Sequence, residues 1–179
     1  ASPAMRAALD ELNLVLNKAI KELHRAIFAL RPVDLELLGF LPALRQSVTD
    51  FGDHNHLTAR LVLLGKMESL PAAYELPLFR MIQEALNNVG QHAAANAVMV
   101  RMVVEDDGSV AVSVCDDGCG FHLSQLDPMV SDGHFGLRQM RESILNLGWT
   151  LDIHASPGQG TELVIHLPQR TSEITDVTH

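Results

Sequence analysis

Two pairs of β-rich segments, each joined by a short turn, constrain the fold of this chain most strongly. The first pair covers Val98 to Val104 and Ser109 to Cys115, and the second covers Trp149 to His154 and Thr161 to Leu167. An acidic turn links the first pair and a Ser-Pro-Gly-Gln-Gly turn links the second, so both are predicted to be antiparallel hairpins. Strand pairs with helices between them predict a helical layer on a mixed sheet.

Helical segments separate and precede these hairpins. Gly136 to Leu147 has the apolar spacing of a helix, and a longer helix is predicted to begin at Pro71 or Pro77 and to run to about Gln91. Leu57 to Leu64 is rich in Leu and Val, which predicts a first strand. We therefore expect an α+β fold, a two-layer α/β sandwich whose mixed, mostly antiparallel sheet carries helices on one face.

A long amphipathic helix is predicted ahead of this domain. From Met5 to Leu30 the apolar residues alternate four and three positions apart, a stripe long enough to indicate packing in a bundle with a second copy. Arg31-Pro32 ends it, because the proline ring clashes with the preceding turn. A short helix from Leu41 to Phe51 and a polar hinge at Gly52 to Asn55 are expected next. The expected parts are a partial dimerisation region at 1–52, a globular domain at 53–169 and a flexible tail at 170–179.

Composition excludes several classes of function. The 179 residues carry a formal net charge of −9, which argues against a general nucleic-acid binder, because such proteins cluster Lys and Arg. No apolar run approaches the ~20 residues of a membrane span, so we expect no membrane contact by this chain, although a longer parent protein could be membrane-anchored. Cys115 and Cys119 are too few for a disulfide framework. We interpret them as packing residues and expect a cytoplasmic location.

One face of the helix that ends near Gln91 carries Glu84, Asn88 and His92, four residues apart. Another face carries an apolar stripe, formed by Leu78, Ile82, Ala85 and Val89. An Asn carbonyl oxygen suits Mg²⁺, a nearby carboxylate can orient or deprotonate an attacking hydroxyl, and a histidine can contact phosphate. A solvated helix face explains the same spacing, so from these residues alone both interpretations stay open.

A second cluster, Asp116-Asp117-Gly118-Cys119-Gly120-Phe121, follows a strand of buried character. Glycine lets a backbone come close to a ligand or adopt positive φ. A buried carboxylate at a strand end can accept a hydrogen bond from an exocyclic amine such as that of adenine. Read alone, the cluster could also be an ordinary turn.

A third cluster, Gly133-His134-Phe135-Gly136-Leu137, leads into a helix. Free backbone N–H groups and the helix dipole would face an anion placed before Gly136, which would supply local positive potential in an acidic protein. A plain helix start is the alternative. All three alternatives would have to hold together for a site to be absent, and the order of the clusters argues against that.

With these motifs the chain resembles bacterial sensor histidine kinases of the subfamily whose bundle helix ends in Leu-Arg-Pro. The N box of the family is similar to QEALNNVGQHA, at residues 83–93, and its first glycine box is similar to DDGCGF, at 116–121. Its second glycine box is similar to two segments, GHFGLRQMRE at 133–142 and SPGQGTELVIHLP at 156–168. The resemblance implies the Bergerat-type ATP-binding sandwich shared with gyrase and heat-shock chaperone ATPases. It implies that Asn88 holds Mg²⁺, that Glu84 is the N-box acid and that Asp116 takes the adenine amine. It gives Thr161 a supporting hydroxyl, and the pocket and its lid would be shaped by Gly118, Gly120, Gly133 and Gly136.

The function implied by this resemblance is the transfer of the γ-phosphoryl group of Mg·ATP to a histidine, followed by relay to an aspartate of a response regulator. A homodimer formed through the helical region is implied as well. Two alternatives remain. One is another ATPase of the same fold or a serine kinase, and the other is a dimerisation scaffold with a lapsed nucleotide site.

Glu22-Leu23-His24 imitates the start of the family's phosphoacceptor motif, but Arg25 stands where that motif has an acid. We therefore interpret His24 as a surface residue, expect the chain to begin between the two bundle helices, and expect it to bind ATP without labelling itself. Ser143 and Trp149 also depart from the subfamily pattern, where Arg and Gly are usual. Both departures are expected to affect local packing rather than the pocket.

Overall fold

The computed structural model describes Met5 and residues 33–67, 70–105, 107, 109–126 and 135–168. Apart from Met5, the predicted amino-terminal helix lies outside the described residues, as do His24 and the tail at 170–179. The chain divides into two compact units, Ala1–Gly39 and Phe40–His179. The functional limits expected at 52 and 169 stay predictions.

Five strands form one sheet, in the order β1-β2-β3-β5-β4. Their bounds are Thr58–Leu64 for β1, Ala97–Val104 for β2, Val110–Asp116 for β3, Thr150–Ala155 for β4 and Thr161–Leu167 for β5. Strands β1 and β2 are parallel, and every other neighbouring pair is antiparallel. Both predicted hairpins and the mixed, mostly antiparallel sheet are thereby confirmed.

The helices are α1 at Val33–Leu38, α2 at Phe40–Asn55, α3 at Ala72–Asn88 and α4 at Phe135–Asn146. A π-helical turn, Val89–Ala93, continues α3, and a 3₁₀ turn covers Leu123–Leu126. Helix α4 matches its prediction to within a residue at each end.

The predicted polar hinge at Gly52 to Asn55 is wrong, because these residues form the last turn of α2. The Asn55 amide donates to the Phe51 carbonyl at 2.9 Å, so a polar side chain supports the helix rather than ending it. Gly52 is buried, and a Cβ there would lie 2.9 Å from the Ala59 side chain on β1. The hinge pattern therefore marks close packing of α2 against β1.

One face of the sheet is buried beneath the helical layer. In β2, Val98, Val100 and Met102 are buried while Met99 and Arg101 between them are exposed. The buried members of β3 follow the same alternation. The apolar stripe predicted on α3 is confirmed, since all of its members are buried. This sandwich fixes the ends of β3 and α3, where the predicted polar clusters lie.

Trp149, one of the two departures from the subfamily pattern, is a core residue directly before β4 with 1% of its surface exposed. Its ring meets Tyr74 of α3 edge to face, with centroids 5.1 Å apart. Helix α3 therefore packs at its first turn against a large side chain.

Candidate functional site

Asp116 is the last residue of β3 and is buried, with 7% of its surface exposed. The Gly118 backbone N–H donates to its Oδ1 at 2.8 Å. Burial raises the pKa of Asp116, and the neighbouring charge of Asp117 adds to this, whereas backbone hydrogen bonds from Gly118 and Thr161 lower it. The structure thus presents a desolvated carboxylate that is held at the strand end by backbone donors.

Two predicted glycines stand where the loop after Asp116 leaves no room for a side chain. A Cβ on Gly118 would overlap the Ala93 carbonyl oxygen, and one on Gly120 would overlap the Ser156 carbonyl oxygen. Gly120 also has a φ of +57°, which favours glycine. The glycines therefore let the loop lie directly against the end of α3 and the β4–β5 turn.

Backbone hydrogen bonds fasten this loop on both sides. Cys119 N–H donates to the Ala93 carbonyl at 2.7 Å, and Gly158 N–H donates to the Cys119 carbonyl at 2.6 Å. Cys119 itself is exposed, so our interpretation of it as a packing residue is wrong. Its thiol lies 3.3 Å from the His92 carbonyl oxygen, at the loop rather than in the core.

The first and third predicted clusters meet where α3 contacts α4. A Cβ built on Gly136, in the first turn of α4, would lie 2.6 Å from Glu84 Oε1 and 3.3 Å from Asn88 Oδ1. The Asn88 amide nitrogen is buried and has no hydrogen-bond partner among the described residues. The amino end of α4 therefore lies directly over the two polar side chains of α3.

His92 lies in the π-helical turn that follows Asn88, and it is exposed. The helical period changes in this turn, and the alignment of His92 with Glu84 and Asn88 stays a prediction. Gly90 lies in this turn and packs against α2. Its Cα faces Asn55 Oδ1 and the Phe51 ring, where a Cβ would lie 2.9 and 3.2 Å from its neighbours.

Some of the remaining predicted residues lie near Asp116 or in the first turn of α4, and the others lie outside the described residues. Thr161, the first residue of β5, pairs with Asp116 across the sheet. Phe135 begins α4, and Leu137 in the first turn is half-buried. Gly133 and His134 lie outside the described residues.

Sequence reasoning gave no role to Asp117, which the structure places at a junction. Its Oδ1 accepts hydrogen bonds from Asn96 N–H at 2.8 Å and Ala97 N–H at 2.9 Å. These bonds, led by that from Ala97, lower the pKa of Asp117. The only signal in the sequence is a second acid directly after the strand.

The donor atoms suit a hard cation rather than a zinc-type ion. Across residues 33–67, 70–105, 109–126 and 135–168, no group of three or more His, Cys, Asp or Glu side chains is placed to hold a metal. Asn88 offers one oxygen beside the amino end of α4. Mg²⁺ commonly takes one or two protein oxygens and completes its shell with phosphate oxygens and water, which fits this arrangement.

Comparison with known proteins gives the family. A family described as histidine kinase-, DNA gyrase B-, and HSP90-like ATPase matches residues 73–171, more than half of the chain. The chain belongs to this ATPase family. It therefore contains an ATP-binding domain of the histidine kinase class, as the sequence motifs predicted.

Two curated relatives illustrate the likeness. The histidine-protein kinase/phosphatase DegS of Brevibacillus brevis is 33% identical over 92% of this chain and 42% of its own length. The nitrate/nitrite sensor protein NarQ of Escherichia coli is 29% identical over 87% of this chain and 27% of its own length. The chain thus spans less than half the length of these two relatives.

Solved structures share the fold at low sequence identity. The histidine kinase domain of the blue-light activated histidine kinase EL346 of Erythrobacter litoralis has a TM-score of 0.58 and 23% identity, covering 72% of this chain and 64% of that domain. The mycobacterial sensor histidine kinase MprB has a TM-score of 0.52 and 18% identity, covering 71% of this chain and 92% of the matched chain. Within the ranges described for this chain, no helix is both long and apolar enough to cross a membrane.

Proposed function

We propose that this chain is the catalytic core of a sensor histidine kinase. In the intact protein it would transfer the γ-phosphoryl group of Mg·ATP to a histidine, and the phosphoryl group would then pass to an aspartate of a response regulator. The family supplies the ATP-binding class. The proposal for the reaction depends on the placement of Glu84 and Asn88 beneath the amino end of α4.

Asp116 is the residue we assign to the adenine amine. A carboxylate that is desolvated and already oriented by Gly118 binds an N–H donor more strongly than an exposed one. Thr161 faces it from the neighbouring strand, and its hydroxyl is assigned a supporting role. Gly118 and Gly120 leave the backbone close enough to wall the pocket.

Asn88 is the protein ligand we assign to Mg²⁺, through Oδ1. Its amide nitrogen has no partner among the described residues, so the side chain is not held there by a described hydrogen bond and can turn its oxygen toward a cation. The bound cation would neutralise charge on the phosphate groups during transfer. The backbone N–H groups of the first turn of α4, including those of Phe135 and Leu137, would bind phosphate oxygens.

Glu84 is the catalytic carboxylate in this proposal. It lies one helical turn before Asn88 and against Gly136, so it can orient or deprotonate the attacking imidazole of a histidine. His92, Gly133 and His134 remain assigned to nucleotide contacts as predicted from the motifs.

Replacement of Asn88 by Ala tests the site, with Asn87→Ala as the matched control. Asn87 is on the same helix but is exposed, where it accepts a hydrogen bond from Gln91 at 3.0 Å. We expect Asn88→Ala to lower ADP affinity about tenfold or more with Mg²⁺ present, and to change it little with a chelator. Calorimetric titration measures both. Equal affinities for the two variants would contradict the proposal and would favour a scaffold with a lapsed site.

The acceptor histidine is tested separately. We propose that this chain binds ATP without phosphorylating itself and that His24 is not an acceptor. Incubation with γ-labelled ATP, followed by acid and base treatment, should leave the chain unlabelled. An acid-labile label lost in the His24→Gln variant would overturn this part of the proposal.

A further inference from the structure

Asp117 joins two segments that are far apart in the sequence. Its carboxylate accepts two backbone hydrogen bonds at the start of β2, from Asn96 and Ala97, across 21 and 20 residues. Its own N–H donates to the Ala97 carbonyl at 3.3 Å. An exposed carboxylate in a loop would ordinarily face water, whereas this one is fixed to the backbone by charge-assisted bonds.

The segment that Asp117 fastens is also the end of the polar helix. Ala93, the last residue of the π-helical turn, accepts a hydrogen bond from Cys119, and Ala94 adopts a φ of +49° before β2 begins. The residues between α3 and β2 are thus attached to the glycine loop at two points, Ala93 and Asn96–Ala97. In the chain, Asn88 comes shortly before the first of the joined segments, and Asp116 comes directly before the second.

The Asp116 carboxylate is held by backbone N–H donors of two segments, Gly118 in the glycine loop and Thr161 on β5. Its one side-chain hydrogen bond to the loop comes from Gly118, which lies beyond Asp117 in the chain. The position of the Gly118 N–H therefore depends on how the peptide of Asp117 is held. Release of Asp117 would let the Gly118 amide move, and the Asp116 carboxylate would then keep only its hydrogen bond from Thr161.

We propose that Asp117 is a positioning residue for purine recognition, which aims the Asp116 carboxylate by fixing the loop to Asn96 and Ala97. This inference rests on the proposed function, in which Asp116 reads the exocyclic amine of adenine. Asp117 does not touch the nucleotide. The two bonds need an acceptor oxygen in that place, which a neutral amide also supplies, although the charge of the carboxylate strengthens them.

The test compares the affinity for ADP with that for inosine diphosphate, which lacks the exocyclic amine. A residue that only stabilises the fold would change both affinities by one factor, whereas a residue that aims Asp116 changes their ratio. Asp117→Ala should lower ADP affinity about tenfold and bring the ratio close to one. Asp117→Asn, which keeps an acceptor oxygen, should retain the ratio.

Asp107→Ala is the matched control. Asp107 is another exposed loop aspartate whose Oδ1 accepts a backbone N–H, from Ser109 at 2.8 Å, but it lies in the β2–β3 turn at the other end of these strands. It should leave both affinities unchanged. Circular dichroism checks that each variant is folded. If Asp117→Ala is not, Asp117→Ser, which also removes the carboxylate, takes its place in the comparison, and an unchanged ratio there refutes the positioning role. A lost ratio in Asp117→Asn would refute the claim that a neutral acceptor oxygen is sufficient.

The outcomes separate this inference from the proposed function. If the wild-type protein binds ADP with the expected preference and Asp117→Ala weakens both nucleotides equally, or neither, Asp117 has no positioning role while the site stands. If the wild-type protein shows no preference for ADP over inosine diphosphate, the assignment of Asp116 fails, and the inference fails with it.

Discussion

Replacement of Gly136 by Ala should separate phosphoryl transfer from nucleotide binding. The added methyl group would lie 2.6 Å from Glu84 Oε1, where ordinary contact begins at 3.4 Å, so the carboxylate must move by about 0.8 Å. The contact with Asn88 Oδ1, at 3.3 Å, is nearly ordinary already. The variant therefore displaces the proposed catalytic carboxylate and leaves the proposed Mg²⁺ ligand almost in place.

The stability change should be small, because two effects oppose each other. Alanine is favoured over glycine in a helix by about 1 kcal/mol, although less in the first turn. Moving the Glu84 side chain off its preferred rotamer costs about 0.5–1.5 kcal/mol. A displacement of about 1 Å at a reacting group can reduce a rate on the order of 10²-fold. We expect a loss of that order in transfer and less than about a threefold change in Mg·ADP affinity.

The assay supplies an acceptor histidine on a separate helical domain and follows transfer from γ-labelled ATP, with calorimetry for Mg·ADP. Ser143→Ala, a substitution in the same helix and away from Glu84, controls for helix propensity. A folded Gly136→Ala protein that transfers at the wild-type rate would refute the role of Glu84. A loss of Mg·ADP affinity as large as the loss of transfer would show instead that the methyl group blocks the nucleotide.

Three further predictions follow from local features. Because burial raises the pKa of Asp116 above 3.8, ionisation of this group opposes folding as pH rises through its folded-state pKa, while ADP affinity should rise over the same window. Calorimetry across pH should show this rise in the wild-type protein and a flat profile in Asp116→Asn. Ala94→Gly should increase the free energy of unfolding by about 0.5–1 kcal/mol, since Ala94 has a φ of +49°, whereas Ala95→Gly should lower it in the same denaturant titration. Trp149→Ala should reduce this free energy by about 3–5 kcal/mol by circular dichroism, because the ring is 1% exposed and packs on Tyr74.

Local patterns predicted the elements well. The hairpin turns lie between strands whose side chains alternate, so period and turn chemistry agree at β2–β3 and at β4–β5. The stripe on α3 repeats at helical spacing and all of it is buried. In these segments the secondary structure follows from residues that are close together in the sequence, so local patterns are sufficient to predict it.

Non-local contacts explain what the sequence did not predict. Gly90, in the π-helical turn, lies against Asn55 and Phe51 of α2, which come 35 and 39 residues earlier in the chain. The polar residues around Gly52 predict a hinge. Its packing partner, Ala59, lies on the following strand, and the local sequence pattern does not show that contact. The bonds of Asp117 likewise span the whole β2–β3 hairpin. In each case the role of a glycine or of a polar side chain depends on contact with another segment of the chain, which a local pattern does not reveal.

The arrangement also explains how an acidic protein could hold a polyanion. With a net charge of −9, the chain cannot attract a triphosphate through its overall field, so binding has to depend on local groups. The amino end of α4 carries about half a positive charge, and it lies beside Asn88, the residue proposed to hold a divalent cation. The acid that contacts this helix end, Glu84, would repel phosphate groups if no cation were present. Nucleotide binding in this site should therefore depend more on Mg²⁺ than on ionic strength, because the attraction acts over a few ångströms rather than over the surface.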